Sequence, residues 1–235
     1  SSIKCAAFCE MDGYVSANQT GNAYSKALKE NKVKILENYD VSKIDYHKNK
    51  YVIIFKNGEK LTASSIILAT GVNLEKTLKL LQINIKIKCL PQQLIVSERM
   101  PKIMDTVITV ANGKLSLKQF KNGTVLIGGG WPGIGNIEDN YTETKPENLI
   151  GNMMLACHAI PRLKSSRVAR VWLGLEAETD DAMPIIGEIP NYENAYVIGS
   201  IHSGYTSGPY MGKLLAEKIL GKDIDLSLFD IKRFL

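Results

Sequence analysis

Apolar residues recur at helical spacing near the start of the chain and in shorter extended runs after it. In "NQTGNAYSKALKEN", Ala23, Ala27 and Leu28 fall on one face, so we expect a helix there that ends at Asn31. Ser16 precedes this segment and is a suitable cap. Segments rich in β-branched and aromatic residues then predict extended structure: "VKIL" (33–36), "VSKIDY" (41–46) and "KYVIIFK" (50–56). Asn57-Gly58 predicts a hairpin turn after the last of these segments. The apolar run "SIILAT" predicts a strand buried on both faces that stops at Gly71.

A second region begins at Pro91 and has the pattern of an antiparallel sheet. We expect strands in "QLIVSE", "TVITVANGKLSLKQF" and "GTVLIGGG", with turns at Asn112-Gly113 and Asn122-Gly123. The segment "PENLIGNMMLACHAIP" predicts a helix between its two prolines. Strands in "ARVWLGLEAET", "MPIIGEIP" and "AYVIGSIHSGY" should follow, and then a helix from Pro209 to a stop at Gly221.

Composition narrows the class of protein. The 235 residues are 45% hydrophobic and 23% charged, as in a globular protein. No long apolar run or signal-peptide pattern is present, so we expect no membrane span and a cytoplasmic location. The net charge of +5 comes from scattered lysines, which does not favour nucleic-acid binding. The four cysteines form no C-x-x-C and, apart from the adjacent Cys157 and His158, lie far from the histidines, so we expect free buried thiols and no metal site.

A glycine-rich stretch at residues 128–133 spells G-x-G-x-x-G, the pattern of a dinucleotide-binding loop. Such a loop needs a helix directly after it, whose free N–H groups hold the phosphates. Here Pro132 interrupts the loop and no helical periodicity returns until after Pro146. We therefore favour a strand end bent by glycines, with room for a neighbouring segment. A nicotinamide site at Gly128 to Gly133 remains the alternative.

Two other segments are better placed for chemistry. Ala69, Thr70 and Gly71 end the predicted buried strand, where cofactors bind in open α/β sheets. The Gly/Ser/Thr loop at 203–206 runs directly into the last predicted helix and offers an anion its N-terminal end. The alternative for this loop is a simple helix cap by Thr206 or Ser207.

The ordered set of segments resembles the FAD-dependent D-amino-acid-oxidase superfamily. It runs from "MDGYVSANQTGNAYSKALKEN" through "IILATG", "LKQFKNGTVLIGGG" and "RVWLGLEAETDDAMPIIGEIP" to "GYTSGPYMGKLLAEKILG". The likeness is strongest to β subunits of amine oxidases and dehydrogenases, such as those of sarcosine oxidase, proline dehydrogenase, opine oxidase and hydrogen cyanide synthase. It covers nearly the whole chain.

The resemblance implies an α+β fold in which an α/β-type FAD-binding domain is interleaved with an antiparallel-sheet substrate domain. Residues 1–88 would belong to the FAD-binding domain, 89–170 to the substrate domain, and 171–235 would return to the FAD-binding domain with a C-terminal helix. In this family the true G-x-G-x-x-G lies near the N-terminus. Neither it nor the following ribose-binding acidic residue is found here, so we expect the N-terminal Rossmann unit to be missing, as in a fragment, or supplied by a companion chain.

The same resemblance assigns residues to the cofactor and the substrate. The residues that would contact FAD are Val41, Ala69, Thr70, Gly71, Gly174, Ser203, Gly204, Tyr205 and Thr206. Gln93 and His202 would lie on the substrate side. No cysteine or histidine occurs in "WLGLEAE", where some relatives attach flavin, so we expect non-covalent FAD.

Several positions depart from the family pattern. Glu176 stands where amino-acid oxidases often have an arginine that binds the substrate carboxylate, although β subunits for secondary amines can be acidic there. The usual "TPD" is Thr179-Asp180-Asp181, and "RGQ" is Pro91-Gln92-Gln93. The implied activity is oxidation of a small amino acid or secondary amine by hydride transfer to flavin N5. The alternative is a non-catalytic fragment or assembly module of the same fold that holds no flavin alone.

Overall fold

The protein, described by a computed structural model over residues 3–111, 113–138 and 141–235, forms two compact units. Unit 1 combines Ser1–Gly21 with Leu90–Leu175, and unit 2 combines Asn22–Cys89 with Glu176–Leu235. The domain boundaries at 88/89 and 170/171 stay a prediction. In the described residues, no helix is both long and apolar enough to cross a membrane.

Four α-helices and a larger set of short strands make up the described chain. The helices are α1 (Ala17–Glu30), α2 (Leu74–Lys79), α3 (Pro146–Ala159) and α4 (Gly204–Ile219). The strands are β1 (Val41–His47), β2 (Lys50–Phe55), β3 (Lys60–Ala63), β4 (Ile66–Leu68), β5 (Lys88–Ser97), β6 (Ile108–Thr109), β7 (Ser116–Gln119), β8 (Val125–Gly128), β9 (Ile134–Asn136), β10 (Tyr141–Glu143), β11 (Val168–Glu178), β12 (Ile185–Glu188) and β13 (Ala195–Gly199).

Unit 1 is built on a sheet with the strand order β11-β5-β8-β7-β6. Side chains alternate between the two faces of a strand, so every second residue of β8, Val125 and Ile127, enters the core. Helix α3 packs on this core through Ala156. Its buried Asn152 donates from Nδ2 to the carbonyl of Gly128 at 3.1 Å. The helix is therefore held to the end of β8 by both apolar packing and a hydrogen bond.

Unit 2 contains a β1-β2-β3 meander and a second sheet in the order β12-β13-β4. Strand β13 pairs antiparallel with β12 and parallel with β4. Val197 of β13 packs with the meander, whereas Ile198 packs with Leu215 of α4 on the opposite side. The buried Tyr51 of the meander donates its hydroxyl to the carbonyl of Glu193 at 2.6 Å, and burial raises its pKa to about 12. Alternation along β13 thus divides the apolar residues of unit 2 between two clusters.

The α+β fold predicted from the sequence is confirmed, and several local signals work as expected. Ser16 caps α1 by accepting a hydrogen bond from the Gln19 amide at 3.4 Å. Gly58 and Gly123 both have positive φ angles and close hairpin turns through their amides. Helix α3 begins at Pro146 and ends before Pro161. The predicted turn at Asn112-Gly113 has its asparagine outside the described residues.

Other expectations from the sequence are wrong. Residues 33–36 form no strand. Ile67 of β4 is 50% exposed whereas its neighbour Leu68 is 3% exposed, so only one face of the strand is covered and β4 is not buried on both faces. Cys5 and Cys9 are exposed and not buried. The β9–β10 hairpin was not predicted, because its three-residue strands are too short to show a periodicity.

A guanidinium clamp holds the C-terminal residues of unit 2 to the turn that precedes β12. Arg233 Nε lies 2.7 Å from Asp181 Oδ2, and Arg233 Nη2 donates to the carbonyls of Met183 and Pro184, both at 2.9 Å. The Arg233 side chain is 21% exposed. The hydrogen bond from Arg233 is the main reason why the pKa of the Asp181 carboxyl lies well below its usual range.

Replacing Arg233 with Met should lower the free energy of unfolding by about 1–2 kcal/mol near neutral pH, after a discount for solvent screening. A depressed pKa in the folded state stabilises the protein above the pKa of the unfolded carboxyl, and this contribution is lost as the pH falls through the folded value. The difference between wild type and Arg233→Met should therefore shrink below about pH 4. Urea unfolding at several pH values measures it.

Lys56→Met is the matched control for this clamp. It removes an ion pair with Asp40 in which both side chains are largely exposed, so we expect almost no change in stability. Equal effects of the two substitutions, or a difference that grows as the pH falls, would contradict the assigned role of Arg233.

Candidate functional site

The parallel pairing of β13 with β4 brings two of the predicted cofactor segments to one edge of the sheet in unit 2. Ala195 pairs with Ile66 and Val197 with Leu68. Adjacent parallel strands point their carboxyl ends the same way and lie about 4.8 Å apart. Ala69, which follows β4, and Ser200, which follows β13, therefore leave the sheet at the same edge. Ligands of open α/β sheets bind at such an edge.

The β4 end of this edge is open. Ala69, Thr70 and Gly71 are exposed. Gly71 has φ of +55°, and a Cβ built on it would meet no heavy atom of the described chain within 4 Å. The residue begins a short 3₁₀ helix, Gly71–Asn73, that leads into α2. The glycine thus permits a left-handed turn and leaves the backbone accessible.

The β13 end differs from the sequence prediction, because α4 begins at Gly204 and not near Pro209. Gly204, Tyr205 and Thr206 form the first turn of the helix and not a loop before it. Neither Thr206 nor Ser207 is the cap; Ser203 occupies that position with φ of +56°, and among the described contacts its side chain caps no amide. Pro209 therefore lies inside the helix, in its second turn, where it has no amide hydrogen to donate to the Tyr205 carbonyl. The positive end of the helix dipole is therefore closer to β13 than expected.

Ser200 was not singled out from the sequence. It is 3% exposed, has φ of +50°, and its Oγ has no hydrogen-bond partner among the described residues. An unsatisfied buried hydroxyl and a left-handed serine are both costly and often mark a functional site. The sequence signal was a polar residue placed directly after the apolar strand "AYVIG".

An acidic group lies beside the start of α4. Glu176 and Glu178 are two residues apart on β11 and so share one face. Glu176 Oε1 accepts a hydrogen bond from the Ser203 amide at 3.2 Å and lies 3.5 Å from His202 Nδ1. Glu178 Oε2 lies 3.6 Å from the same nitrogen. The predicted substrate residue His202, 53% exposed in its side chain, is thus flanked by two carboxylates.

The remaining predicted site residues lie elsewhere. Val41 is the 38% exposed first residue of β1 in unit 2. Gly174 is an exposed residue of unit 1, and a Cβ there would meet no described atom within 4 Å. Gln93, also in unit 1, is buried. Its side-chain Oε1 accepts a hydrogen bond from the backbone amide of Lys145 at 3.1 Å, and its Nε2 donates to the Lys145 carbonyl at 3.3 Å. The assignments to FAD and substrate stay predictions.

The glycine-rich stretch of unit 1 is occupied by neighbouring chain segments. A Cβ on Gly129 would lie 2.6–2.7 Å from backbone atoms of Leu115, and one on Gly133 would lie 2.8 Å from the Glu143 carbonyl. In α3, Gly151 faces the Trp131 ring, with which a Cβ would collide. The element after Gly133 is β9, not a helix. Close packing explains these glycines, in agreement with the favoured interpretation of the sequence.

Comparisons with known proteins agree with one family. A family model described as "DAO: FAD dependent oxidoreductase" matches residues 1–218. Hydrogen cyanide synthase subunit HcnC of Pseudomonas protegens is 26% identical over 234 residues, which cover 95% of this chain and 53% of that protein. An opine oxidase subunit of Rhizobium meliloti is 23% identical over 232 residues, which cover 97% of this chain and 58% of that protein. The chain therefore spans little more than half the length of these curated relatives.

Solved structures share the fold. L-proline dehydrogenase from P. horikoshii superimposes with a TM-score of 0.82 at 22% identity, covering 92% of this chain and 59% of that one. Glycine oxidase from Geobacillus kaustophilus does so with a TM-score of 0.75 at 18% identity, covering 86% and 54%.

Replacing Gly129 with Ala should lower the free energy of unfolding by about 2–4 kcal/mol, because the new methyl group collides with backbone atoms that cannot move aside. Gly130→Ala is the matched control. Gly130 also has a positive φ, but its Cβ would meet only the Gly113 carbonyl at 3.5 Å, so about 1 kcal/mol is expected. Chemical denaturation measures both. Equal losses would show that close packing is not what requires a glycine at position 129.

Proposed function

The chain belongs to the DAO family of FAD-dependent oxidoreductases, and from this premise we propose that it forms the flavin-holding part of an enzyme that oxidises a small amino acid or secondary amine. The observation that carries the proposal is the shared edge of β4 and β13, from which both the Thr70-Gly71 segment and the segment that leads to α4 emerge. The family resemblance assigned these segments to the cofactor.

The residues at this edge fit an anionic, hydrogen-bonding cofactor. The open backbone at Gly71 leaves space for close approach of a polar ligand. The N-terminal turn of α4 offers its positive dipole end, which stabilises a nearby negative charge by about 0.3–1 kcal/mol. The Oγ of Ser200, which has no hydrogen-bond partner among the described residues, is an additional polar group. A small movement of the chain around a bound ligand would let this hydroxyl form a hydrogen bond. FAD, when bound, supplies the acceptor for the hydride that leaves the carbon next to the amine.

The chain's own residues would bind and orient the cofactor and the substrate. The turn Ser203 to Thr206 would hold the pyrimidine edge of the flavin, and Ala69 to Gly71 and Val41 the adenosine side. His202 would meet the substrate, since its ring is exposed beside α4. Loss of a hydride from a neutral amine gives an iminium ion and needs little base help, and water then hydrolyses this ion to a carbonyl compound and an amine or ammonium ion. We propose that Gln93 serves the substrate side indirectly, by holding the Lys145 backbone in place through a hydrogen bond.

We propose a companion chain or a further segment for the nucleotide-binding half. Relatives are described as subunits of hydrogen cyanide synthase, opine oxidase and sarcosine oxidase. We also propose that the protein is located in the cytoplasm.

The native protein, purified with its full chain and any companion subunits, should contain FAD. Acid precipitation should release the flavin into the supernatant, as expected for non-covalent binding. Anaerobic mixing with a panel of small amino acids and secondary amines should bleach the flavin absorbance with at least one of them. The same panel without protein, tested on free FAD, is the control.

Three results would count against the proposal. A native assembly without any flavin would favour the non-catalytic module. Bound FAD that no amine reduces would keep the cofactor but reject the substrate class. Protection of residues 128–133 by NAD in hydrogen exchange would revive the nicotinamide alternative.

Gly71→Ala should weaken FAD binding by about tenfold or more, because a methyl group would occupy the space that a close ligand needs. Gly58→Ala is the matched control, since Gly58 also has a positive φ and an open Cβ position but lies in the β2–β3 turn. Both variants should lose similar stability. Titration of the apoprotein with FAD distinguishes them, and equal affinities would reject the role of Gly71.

A further inference from the structure

The Glu176 carboxylate lies beside the start of α4 and bonds to the residue that precedes the helix. Its Oε1 accepts a hydrogen bond from the Ser203 amide, and Ser203 is the cap residue of the helix. The side chain is 25% exposed, so solvent screens its charge only in part. A negative charge thus already lies at the positive end of the helix.

The same carboxylate also stabilises the turn before the helix. Ser200 and Ser203 both adopt left-handed backbone conformations, which cost free energy for residues other than glycine. The bond from the Ser203 amide to Glu176 offsets part of this cost, and the amides of Thr206 and Ser207 are bonded to the Ser203 carbonyl. Glu176 therefore both supports the backbone at Ser203 and places a negative charge beside the start of the helix.

We propose that Glu176 is a positioning residue that holds the start of α4 and, through its charge, lowers the reduction potential of the flavin bound there. This rests on the proposed function. Hydride transfer moves two electrons and one proton from the amine carbon to the flavin, so the amine becomes an iminium ion and the flavin gains one negative charge. A carboxylate at the helix end opposes that gain, whereas the helix dipole favours it.

Glu178 provides a matched control. It lies on the same face of β11 and approaches the same His202 nitrogen, at 3.6 Å, with a side chain of similar exposure, 23%. The described hydrogen bonds connect Glu176, and not Glu178, to the Ser203 amide. Removing either charge changes the surroundings of His202, but removing that of Glu176 acts directly on the helix end.

The test is the midpoint potential of the flavin in the native holoprotein, measured by anaerobic titration against a reference dye. Glu176→Gln keeps an oxygen to accept from Ser203 but loses the charge, so we expect the equilibrium constant for reduction to rise about twofold to fivefold. For a two-electron couple this is an upward shift of about 10–20 mV. Glu178→Gln should shift it less, and Glu176→Asp, which keeps the charge, should stay near the wild-type value.

Glu176→Ala should also raise the midpoint potential of the flavin, and it should lower the thermal midpoint of unfolding. If the Glu176→Gln protein does not fold, Glu176→Ala takes its place in the test. An unchanged potential in Glu176→Gln, or equal shifts in Glu176→Gln and Glu178→Gln, overturns the role of Glu176 while leaving the proposed function intact. Absence of FAD from the native protein overturns both.

Discussion

The parallel pairing of β13 with β4 is the interaction on which the candidate site depends. The two strands are separated by more than a hundred residues in sequence, and nothing in either one specifies the other. Hydrogen bonds at the start of the pair set the register, since both the Ile66 amide and the Ser65 hydroxyl donate to the Asn194 carbonyl. Once this register is set, the segments after both strands must emerge side by side.

Packing on both sides of β13 keeps this arrangement in place. The meander and α2 cover one face and α4 covers the other, and alternate residues of the strand serve the two clusters. Because α4 is anchored by buried Leu215, the start of the helix is fixed relative to the sheet edge. The costly left-handed serines at 200 and 203 are sustained by this surrounding structure.

Glycines have opposite uses in the two units. At Gly129 and Gly133 the missing side chain allows chain segments to pack closely, so the space is filled by the protein itself. At Gly71 the space stays open to a ligand. A one-dimensional motif cannot distinguish these cases, because both need only a residue without a Cβ. The type of element that follows the glycines distinguishes the two cases better. A dinucleotide-binding loop leads into a helix, whereas the element after Gly133 is a strand.

Patterns along the linear chain were enough to predict the class of fold, the hairpins at Gly58 and Gly123, the limits of α3, and the family with its FAD chemistry. These features depend on local turn geometry, on periodicity and on an ordered series of segments, all of which are present in the linear chain. Tertiary structure alone decided that α4 starts at Gly204, that Ile67 is exposed, that Glu176 reaches Ser203 and that Ser200 is buried without a partner among the residues described. Those features arise from contacts between residues far apart in sequence, which no local pattern encodes.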